Sequence, residues 1–538
     1  MKAFILSALV IISLTFAAVA PAFAQLVADP NDRLYTDLEM WMDRGMMDQL
    51  PPLRPYPVQL VLKALNQVVA RGDESDRDLA NWYLSKIQGG SNFHGVASSD
   101  SRTNLSGGYE EAALEAVMQG SVYPWITYSA RIGALAFSGP ISTLLPEYQR
   151  SLSDFVSDAA VRAVGSLTPQ MTMIGSGTIG NDAIYVQAGA IRGSYGPFWG
   201  DNAVLSPTSP QSGQFSFVFH NNAMSGTMVL MDMSATNPSG GQLTAGKFLS
   251  LGGLEFYPLD WLTLGVFDTM VWGQRFEPLY LLPVVSFYTE GMAGYPDNAF
   301  IGVSGGVKFS NAWKANVLLY VDDAGFNDLI RLNFNTMLLF ALQAGVSWTP
   351  NLPFLTRIRI TNILITPYTY SHESYGGTAP VNYLNYTNNG QNIGPSINPN
   401  SDRLEVEALI RPANWVDVNL FGRFIIHGNA TTGPNLDGSP NDGSVWDDGI
   451  DAIGDTFAPS PSRPGWTYTR FLTQSVLEKV LQAGFDTRAY LETAIGEVQV
   501  SLSYTFEYML DGTVAGQGPA SGNDAITHYI SLGVAFTY

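Results

Sequence analysis

Apolar positions recur along this chain at two periods, and the change of period divides it. From Asp29 to Ile87 the period is helical. Leu34, Leu38, Trp41 and Met42 share one face after an Asp29-Pro30 start, and Gly45 supplies a stop. Pro51, Pro52, Pro55 and Pro57 make a stiff connector. Val58, Val61, Leu62, Leu65, Val68 and Val69 form a second stripe, closed by Gly72. Ser75 with Asp78 has the form of a capping pair ahead of a third helix that buries Leu79, Trp82, Tyr83 and Ile87. The stripes predict a small helical bundle over residues 25–100 with a core of its own and no catalytic candidate.

From about residue 101 the period is two. Trp313 to Val321 reads as a strand. In Val416 to Ile426, Val416, Val418, Leu420, Phe424 and Ile426 face one way and Asp417, Asn419 and Arg423 the other, with Phe421 and Ile425 as exceptions. Val498, Val500, Leu502, Tyr504, Phe506 and Tyr508 alternate with Gln499, Ser501, Ser503, Thr505 and Glu507. A strand of this length, apolar on one side and polar on the other with aromatics toward one end, suits a membrane-spanning barrel better than a soluble sandwich. The last strand repeats the pattern. Ile530, Leu532, Val534, Phe536 and Tyr538 alternate with Ser531, Gly533, Ala535 and Thr537, and the chain stops on an aromatic.

Residues 101–538 at roughly 25 residues per strand predict an antiparallel transmembrane β-barrel of about 16–18 strands. Closure is demanded because unpaired backbone in lipid is too costly. Two stretches break the pattern: Tyr370 to Asp402, rich in Asn, Gly, Pro and Tyr, and Gly428 to Arg470, rich in Asp, Gly, Pro and Ser. Long loops of such barrels face outward and short turns face the periplasm, so both stretches are expected outside the cell.

Composition sharpens this picture. The chain has 538 residues, 27 Lys+Arg against 47 Asp+Glu, a net charge of −20, and no Cys. The acidic balance is wrong for nucleic acid, whose phosphates need cations. Without Cys there is no disulfide, no thiolate chemistry and no iron–sulfur cluster. Only 14% of residues are charged, against about 25% in ordinary soluble domains. Lys2, the apolar run from Phe4 to Val19, and Ala22-Phe23-Ala24 have the form of a secretory signal peptide cleaved before Gln25. Beyond it the best apolar run, Met337 to Val346, is ten residues and holds Gln343, too short for a spanning helix.

One patch resembles a known family. Arg192-Gly193-Ser194-Tyr195-Gly196-Pro197-Phe198-Trp199-Gly200-Asp201-Asn202-Ala203-Val204-Leu205-Ser206 is similar to a segment of the capsule-assembly (Wzi-type) outer-membrane proteins. The helical start, Pro296-Asp297-Asn298, Tyr320-Val321-Asp322-Asp323, the stretch from Tyr383 to Gly394 and Ser401-Asp402-Arg403 resemble the same family. The resemblance implies a periplasmic helical bundle ahead of a barrel that holds or organises surface polysaccharide, and it does not imply hydrolysis. The chain departs from the family after Ser206, where Pro207 to Gly213 carries no basic residue, and in the long acidic stretch from Gly428 to Arg470.

Candidate chemistry is sparse. Arg192, Tyr195, Pro197, Phe198, Trp199, Asp201 and Asn202 read either as a ligand-contacting turn at the barrel rim or as a tight Gly-Pro turn with an interface aromatic. Tyr375, Tyr383, Tyr386 and Trp446, set among Asn and Asp in the long loops, are the candidates for packing on sugar rings. A body this acidic favours a neutral or zwitterionic glycan over a polyanion. Phe536 and Tyr538 are the candidate signal for the barrel-insertion machinery. Asp437 to Asp448 has oxygen donors at alternating positions, but Asp442 stands where a calcium loop needs Gly, and a solvated acidic loop is the plainer reading. Neither a metal nor a cofactor is expected. His372 and His427 are the only candidates for catalysis, and no GxSxG is present, so the chain does not read as an enzyme. A general diffusion porin and a surface adhesin remain as other readings. The partners expected are surface polysaccharide, outer-membrane lipid and the insertion machinery.

Overall fold

The computed structural model describes residues 27–88, 93–139, 144–150, 168–235, 245–282, 297–310, 312–324, 326–333, 338–350, 352–372, 383–428, 476–514 and 518–538, with a few isolated positions besides. The leader 1–24, Tyr375, Trp446 and the 437–448 stretch lie outside the described residues.

Three helices come first: α1 (Arg33–Asp43), α2 (Val58–Arg71) and α3 (Glu74–Gln88). Asp32, not Asp29, caps α1, its side chain accepting from the Leu34 N–H. Asp29 instead holds the turn before it, accepting from the Asn31 N–H at 3.0 Å. The third helix is held by Asp73, whose carboxylate accepts from Asp76 N–H at 3.0 Å, and not by the Ser75–Asp78 pair. Gly45, at φ +76°, turns the chain out of α1 in the left-handed region that glycine tolerates.

The body is a closed barrel of 18 strands. In chain order they are β1 (Phe93–Thr103), β2 (Gly108–Tyr123), β3 (Ile126–Ser138), β4 (Thr168–Gly180), β5 (Ile184–Ile191), β6 (Ser212–His220), β7 (Met224–Met233), β8 (Lys247–Leu259) and β9 (Leu262–Gly273). There follow β10 (Asn298–Lys308), β11 (Trp313–Ala324), β12 (Leu338–Trp348), β13 (Leu355–Ile365), β14 (Ser401–Ala413), β15 (Val416–His427), β16 (Glu478–Thr493), β17 (Gly496–Leu510) and β18 (Ala525–Thr537). Each strand pairs antiparallel with its sequence neighbour, as in Asn419↔Asp486 of β15 and β16. The seam between β18 and β1 closes the circle, running from Val96↔Thr537 to Thr103↔Ile530. Tyr538 completes it by exchanging backbone bonds with Gly95 at 3.0 and 3.2 Å. Its ring lies where a side chain on residue 95 would sit, so a larger residue there would have to displace it. The Phe536 and Tyr538 rings stack at 6.4 Å beside this seam. The count agrees with the 16–18 strands expected, and the first strand opens at Phe93, ahead of residue 101.

The wall has two faces and two ends. Leu420, Phe424, Leu502, Leu532 and Val534 point out and are exposed, while Phe421, Ile425, Thr505 and Glu507 point in and are buried. Such an apolar outer face is the surface a barrel presents to lipid. No helix among the described residues is long and apolar enough to cross a membrane. One end carries turns of two to six residues, the other the long connections, including 192–211, 366–400 and 428–477. Trp125, Trp261, Trp313 and Trp415 ring the short-turn end, each about half exposed, as an interfacial aromatic girdle does. Leu502→Arg is therefore expected to cost about 2–4 kcal/mol in folding into lipid vesicles, with Ser503→Arg much milder. Equal tolerance in urea titrations would reverse the faces assigned.

Candidate functional site

The lumen is not an empty polar tube. α1 is buried over nearly its whole length, polar face included. Asp37, Glu39 and Asp43 are all buried, and each meets a cation from the inner wall. Asp37 pairs with Arg411 at 2.9 Å and Glu39 with Arg357 at 2.5 Å. Asp43 pairs with Lys314 at 3.1 Å, and Arg33 of α1 pairs with Asp417 at 2.8 Å. Other bonds reach further round the mouth. Lys63 meets Asp182 at 2.6 Å, His220 Nε2 contacts the Gln49 carbonyl at 2.9 Å, and Trp82 Nε1 donates to Glu492 at 2.8 Å. The bundle thus lies across the short-turn mouth, held to strands on all sides.

The connection 192–211 enters the lumen from the opposite end and meets the bundle. Leu53 and Arg54 pair as a two-residue strand with Tyr195 and Ser194. The Arg54 guanidinium donates to Ser194 Oγ at 2.9 Å and to the carbonyls of Gly196 and Phe198 at 3.1 Å each. It also lies 4.8 Å over the Trp199 ring. Tyr35 and Tyr56 pack on the same ring, at 6.3 and 5.9 Å. Tyr195 points at Phe267 of β9, 5.3 Å away, and its hydroxyl fills the place a side chain on Gly253 would take. Asn202 holds the turn that follows, its side-chain oxygen accepting from the N–H groups of Val204 and Leu205 at 3.1 and 3.0 Å. Arg192, Phe198 and Trp199 are buried, and Pro197 is half-buried, its carbonyl accepting from Asn316. The patch 192–206 is thus a centre of packing inside the barrel, away from the rim where the sequence suggested it.

The described part of 366–400 completes the filling. The Tyr370 hydroxyl donates to the Ala203 carbonyl at 2.7 Å and that of Tyr386 to the Val204 carbonyl at 3.0 Å. Phe300, Tyr320, Tyr370 and Tyr386 form one aromatic cluster, with Phe300 5.0 Å from Tyr386 and 4.9 Å from Tyr320. Burial pushes the Tyr370 and Tyr386 hydroxyls up from their ordinary values. Tyr383 is also buried and lies over Gly273. The faces of Tyr386 are therefore taken up by neighbouring rings, and Tyr383 and Tyr386 sit beneath the outer surface.

Asp201 ties these pieces together. It accepts from Ser206 Oγ at 2.7 Å, from Ser396 N–H at 2.9 Å and from Ser396 Oγ at 2.6 Å, and pairs with Arg403 of β14 at 2.9 Å. Burial opposes its charge, but Arg403, Arg150 and the hydroxyl bonds outweigh burial and hold the carboxyl well below the usual carboxylate range. A group with a depressed folded value contributes stability above its unfolded value, about 3.9, and loses it as pH falls through the folded one. Asp201→Asn is expected to lower the tryptophan-fluorescence melting temperature at pH 7. The gap to wild type should narrow below about pH 3.9, and a gap constant with pH would contradict this role.

Two histidines had been the only candidates for catalysis. His427 Nδ1 lies 2.8 Å from Ser401 Oγ, both buried. The His372 N–H donates to Asn385 at 2.8 Å. No group of three or more potential metal ligands occurs among the described residues. A cavity of about 500 Å³ lies at the short-turn mouth between α3 and β16, yet Lys86 and Arg33 already cover faces of its Trp82 and Tyr490.

Sequence reasoning missed the polar residues that hold the filling in place: Asp37, Glu39, Asp43 and Arg54, and the wall arginines. One signal was present. Arg357 and Arg359, and then Arg403, Glu405 and Glu407, put charges at every second position of β13 and β14, on one face. Facing charged ladders of both signs mark an interior in which charges pair.

No family model matches the chain, and no curated protein matches it in sequence. Solved structures with the OccD3 (OpdP) and OpdK barrels of Pseudomonas aeruginosa match over 84% and 83% of the chain and 91% and 98% of theirs. Their TM-scores are 0.42 and 0.40, at 10% and 11% identity. A fuller match is Wzi, described as an outer-membrane protein involved in group 1 capsule assembly in Escherichia coli and a carbohydrate-binding β-barrel. It covers 95% of this chain and 99% of its own, with TM-score 0.56 and 13% identity. The chain therefore has the fold of that outer-membrane barrel, an 18-stranded wall with a helical N-terminal region.

Proposed function

We propose that the protein is an outer-membrane barrel that holds or organises surface polysaccharide at its long-loop end, and that it is neither a diffusion porin nor an enzyme. The observation that carries this reading is the filled lumen. A wall of 18 strands can enclose an aqueous channel, but here helices, the 192–211 segment and the described part of 366–400 occupy it and bond to one another. A barrel built to pass solutes has no use for so much buried packing along its axis. The likeness to a carbohydrate-binding barrel points the same way. In this reading residues 1–24 direct export, the short turns and helical bundle face the periplasm, and Phe536 and Tyr538 serve assembly. The apolar outer wall contacts lipid. Tyr375 and Trp446 are the aromatic residues offered to sugar, while Tyr383 and Tyr386 support the loop from beneath.

The test is retention of purified surface polysaccharide on cells that express the protein, against cells that lack it. Expressing cells are expected to retain more, and Tyr375→Ala with Trp446→Ala is expected to reduce retention without changing the heat-shifted band on electrophoresis. Equal retention on both kinds of cell would remove polysaccharide from the account.

A further inference from the structure

Inside the barrel, between the 192–211 segment and β13–β16, lies a chamber of about 240 Å³. Its walls carry four guanidinium groups, Arg150, Arg359, Arg403 and Arg423, against three carboxylates, Asp201, Glu405 and Glu407. Three of the arginines are matched. Arg359 pairs with Glu407 at 2.5 Å, Arg403 with Asp201 at 2.9 Å and Arg423 with Glu405 at 2.5 Å. Arg150 is the fourth cation: it adds to the field that keeps Asp201 charged but sits at longer range than the three pairs. Its guanidinium donates to the carbonyls of Gly394, at 3.0 Å, and Pro395, and pairs with no carboxylate among the described residues.

The matched arginines also have donors to spare. Arg403 Nε and Arg423 Nη1 are buried with no acceptor in reach. The Arg403 side chain is only 5% exposed. Leaving a buried donor unmade costs about 1–3 kcal/mol, more on a charged group. Two such donors, and four guanidinium groups against three carboxylates around one chamber, favour an acceptor with negative charge. Guanidinium groups hold planar oxyanions in paired, parallel bonds.

We propose that this chamber binds the carboxylate of a single acidic sugar residue, of the uronic acid class. The proposal rests on the polysaccharide reading and names the ligand chemistry of one site within it. The size fits one ring. The chamber is smaller than the ~300–1,000 Å³ of pockets for larger ligands. Hydroxyls of the ring have acceptors and donors in Glu407, Gln482 and Thr208, which line the same space. The net charge of −20 argues against a polyanion at long range, but its field is screened beyond about 8 Å at physiological salt. At contact distance the arginines decide, so one carboxylate is taken where a densely charged polymer is repelled.

The test is isothermal titration of the full-length protein in detergent with sodium glucuronate, glucose and inorganic phosphate, compared with Arg150→Gln and Arg423→Gln. Saturable binding of glucuronate, at least tenfold tighter than glucose, is expected. Arg150→Gln, which breaks no ion pair, should weaken it about tenfold while keeping the heat-shifted band, and Arg150→Lys should recover part of the loss because charge returns without the fork. Equal binding of glucose and glucuronate overturns the proposal, as does binding of phosphate but not glucuronate, or glucuronate binding unchanged in both Gln variants. Absence of all binding also overturns it, and leaves the polysaccharide reading standing if expressing cells still retain polymer. Glucuronate binding without retention on cells would sink the polysaccharide reading and keep the chamber.

Discussion

Asp37→Ala is expected to release the helical bundle from the barrel mouth while leaving the wall intact. Asp37 is fully buried on α1. It accepts from Arg411 at 2.9 Å and from the Tyr83 hydroxyl at 2.6 Å, and Arg33 lies 3.8 Å away. Arg33 and Arg411 also share Asp417, at 2.8 and 2.6 Å. Two cations and two carboxylates balance there, out of water. Removing one carboxylate leaves two guanidinium groups competing for the other, and breaking a buried pair in this way costs about 3–5 kcal/mol. The loss falls on docking of the bundle, because β14 and β15 keep their backbone ladder. Limited proteolysis in detergent should cut residues 27–88 in the variant much faster than in wild type, with the heat-shifted band unchanged. Asp37→Asn should lose less, since it keeps an acceptor for Tyr83. A variant cut at the wild-type rate would mean that the charges on α1 do not hold the plug.

Arg54→Met is expected to separate the bundle from the 192–211 segment. The side chain is 1% exposed and serves three acceptors on that segment, and no carboxylate among the described residues pairs with it. Methionine can fill the volume over Trp199, but the Gly196 and Phe198 carbonyls lose a donor. The Phe198 carbonyl keeps the Asn202 amide at 3.5 Å, so the Gly196 carbonyl bears the loss, about 1–3 kcal/mol for a buried polar group without a partner. Arg54→Lys should recover part of the loss, because one nitrogen, Nη2, serves all three acceptors and an ammonium carries three donors, while the planar stack on Trp199 is lost. The readout is hydrogen exchange at the Tyr195 and Gly196 amides, which donate to Leu205 and Pro52 at 3.0 Å each. Faster exchange at both in the variant is the expected result. Unchanged exchange would show that the Leu53–Arg54 bridge stands without the guanidinium.

The wall was legible in the sequence because lipid on one side enforces a strict alternation. Leu502, Leu532 and Val534 had to face out, and they do. The terminal strand and its aromatic closed the seam as expected. The filling was less legible, and the reason is physical. Polar residues at inward positions look the same whether they meet water or each other. Phe421 and Ile425, which broke the alternation of β15, were the sign that its inner face is packed, since both are buried there. The helices misled in the same way. Their apolar stripes suggested a separate bundle with a solvated polar side, yet Asp37, Glu39 and Asp43 are buried against wall cations. Tyr386 in an Asn- and Gly-rich loop read as a surface aromatic. Its hydroxyl instead satisfies the Val204 carbonyl, and its ring completes a cluster with Phe300. Distances of 182 and 86 residues along the chain separate those partners, and no local pattern reports such pairings.

The central claim is that this barrel is filled along its axis and holds, but does not pass, its ligand. Single-channel recording of the full-length protein in planar bilayers tests it most directly, with insertion verified independently by protease protection. The account predicts inserted protein without steady conductance. Large, steady, ohmic openings from the inserted wild-type protein would contradict it and return the porin reading.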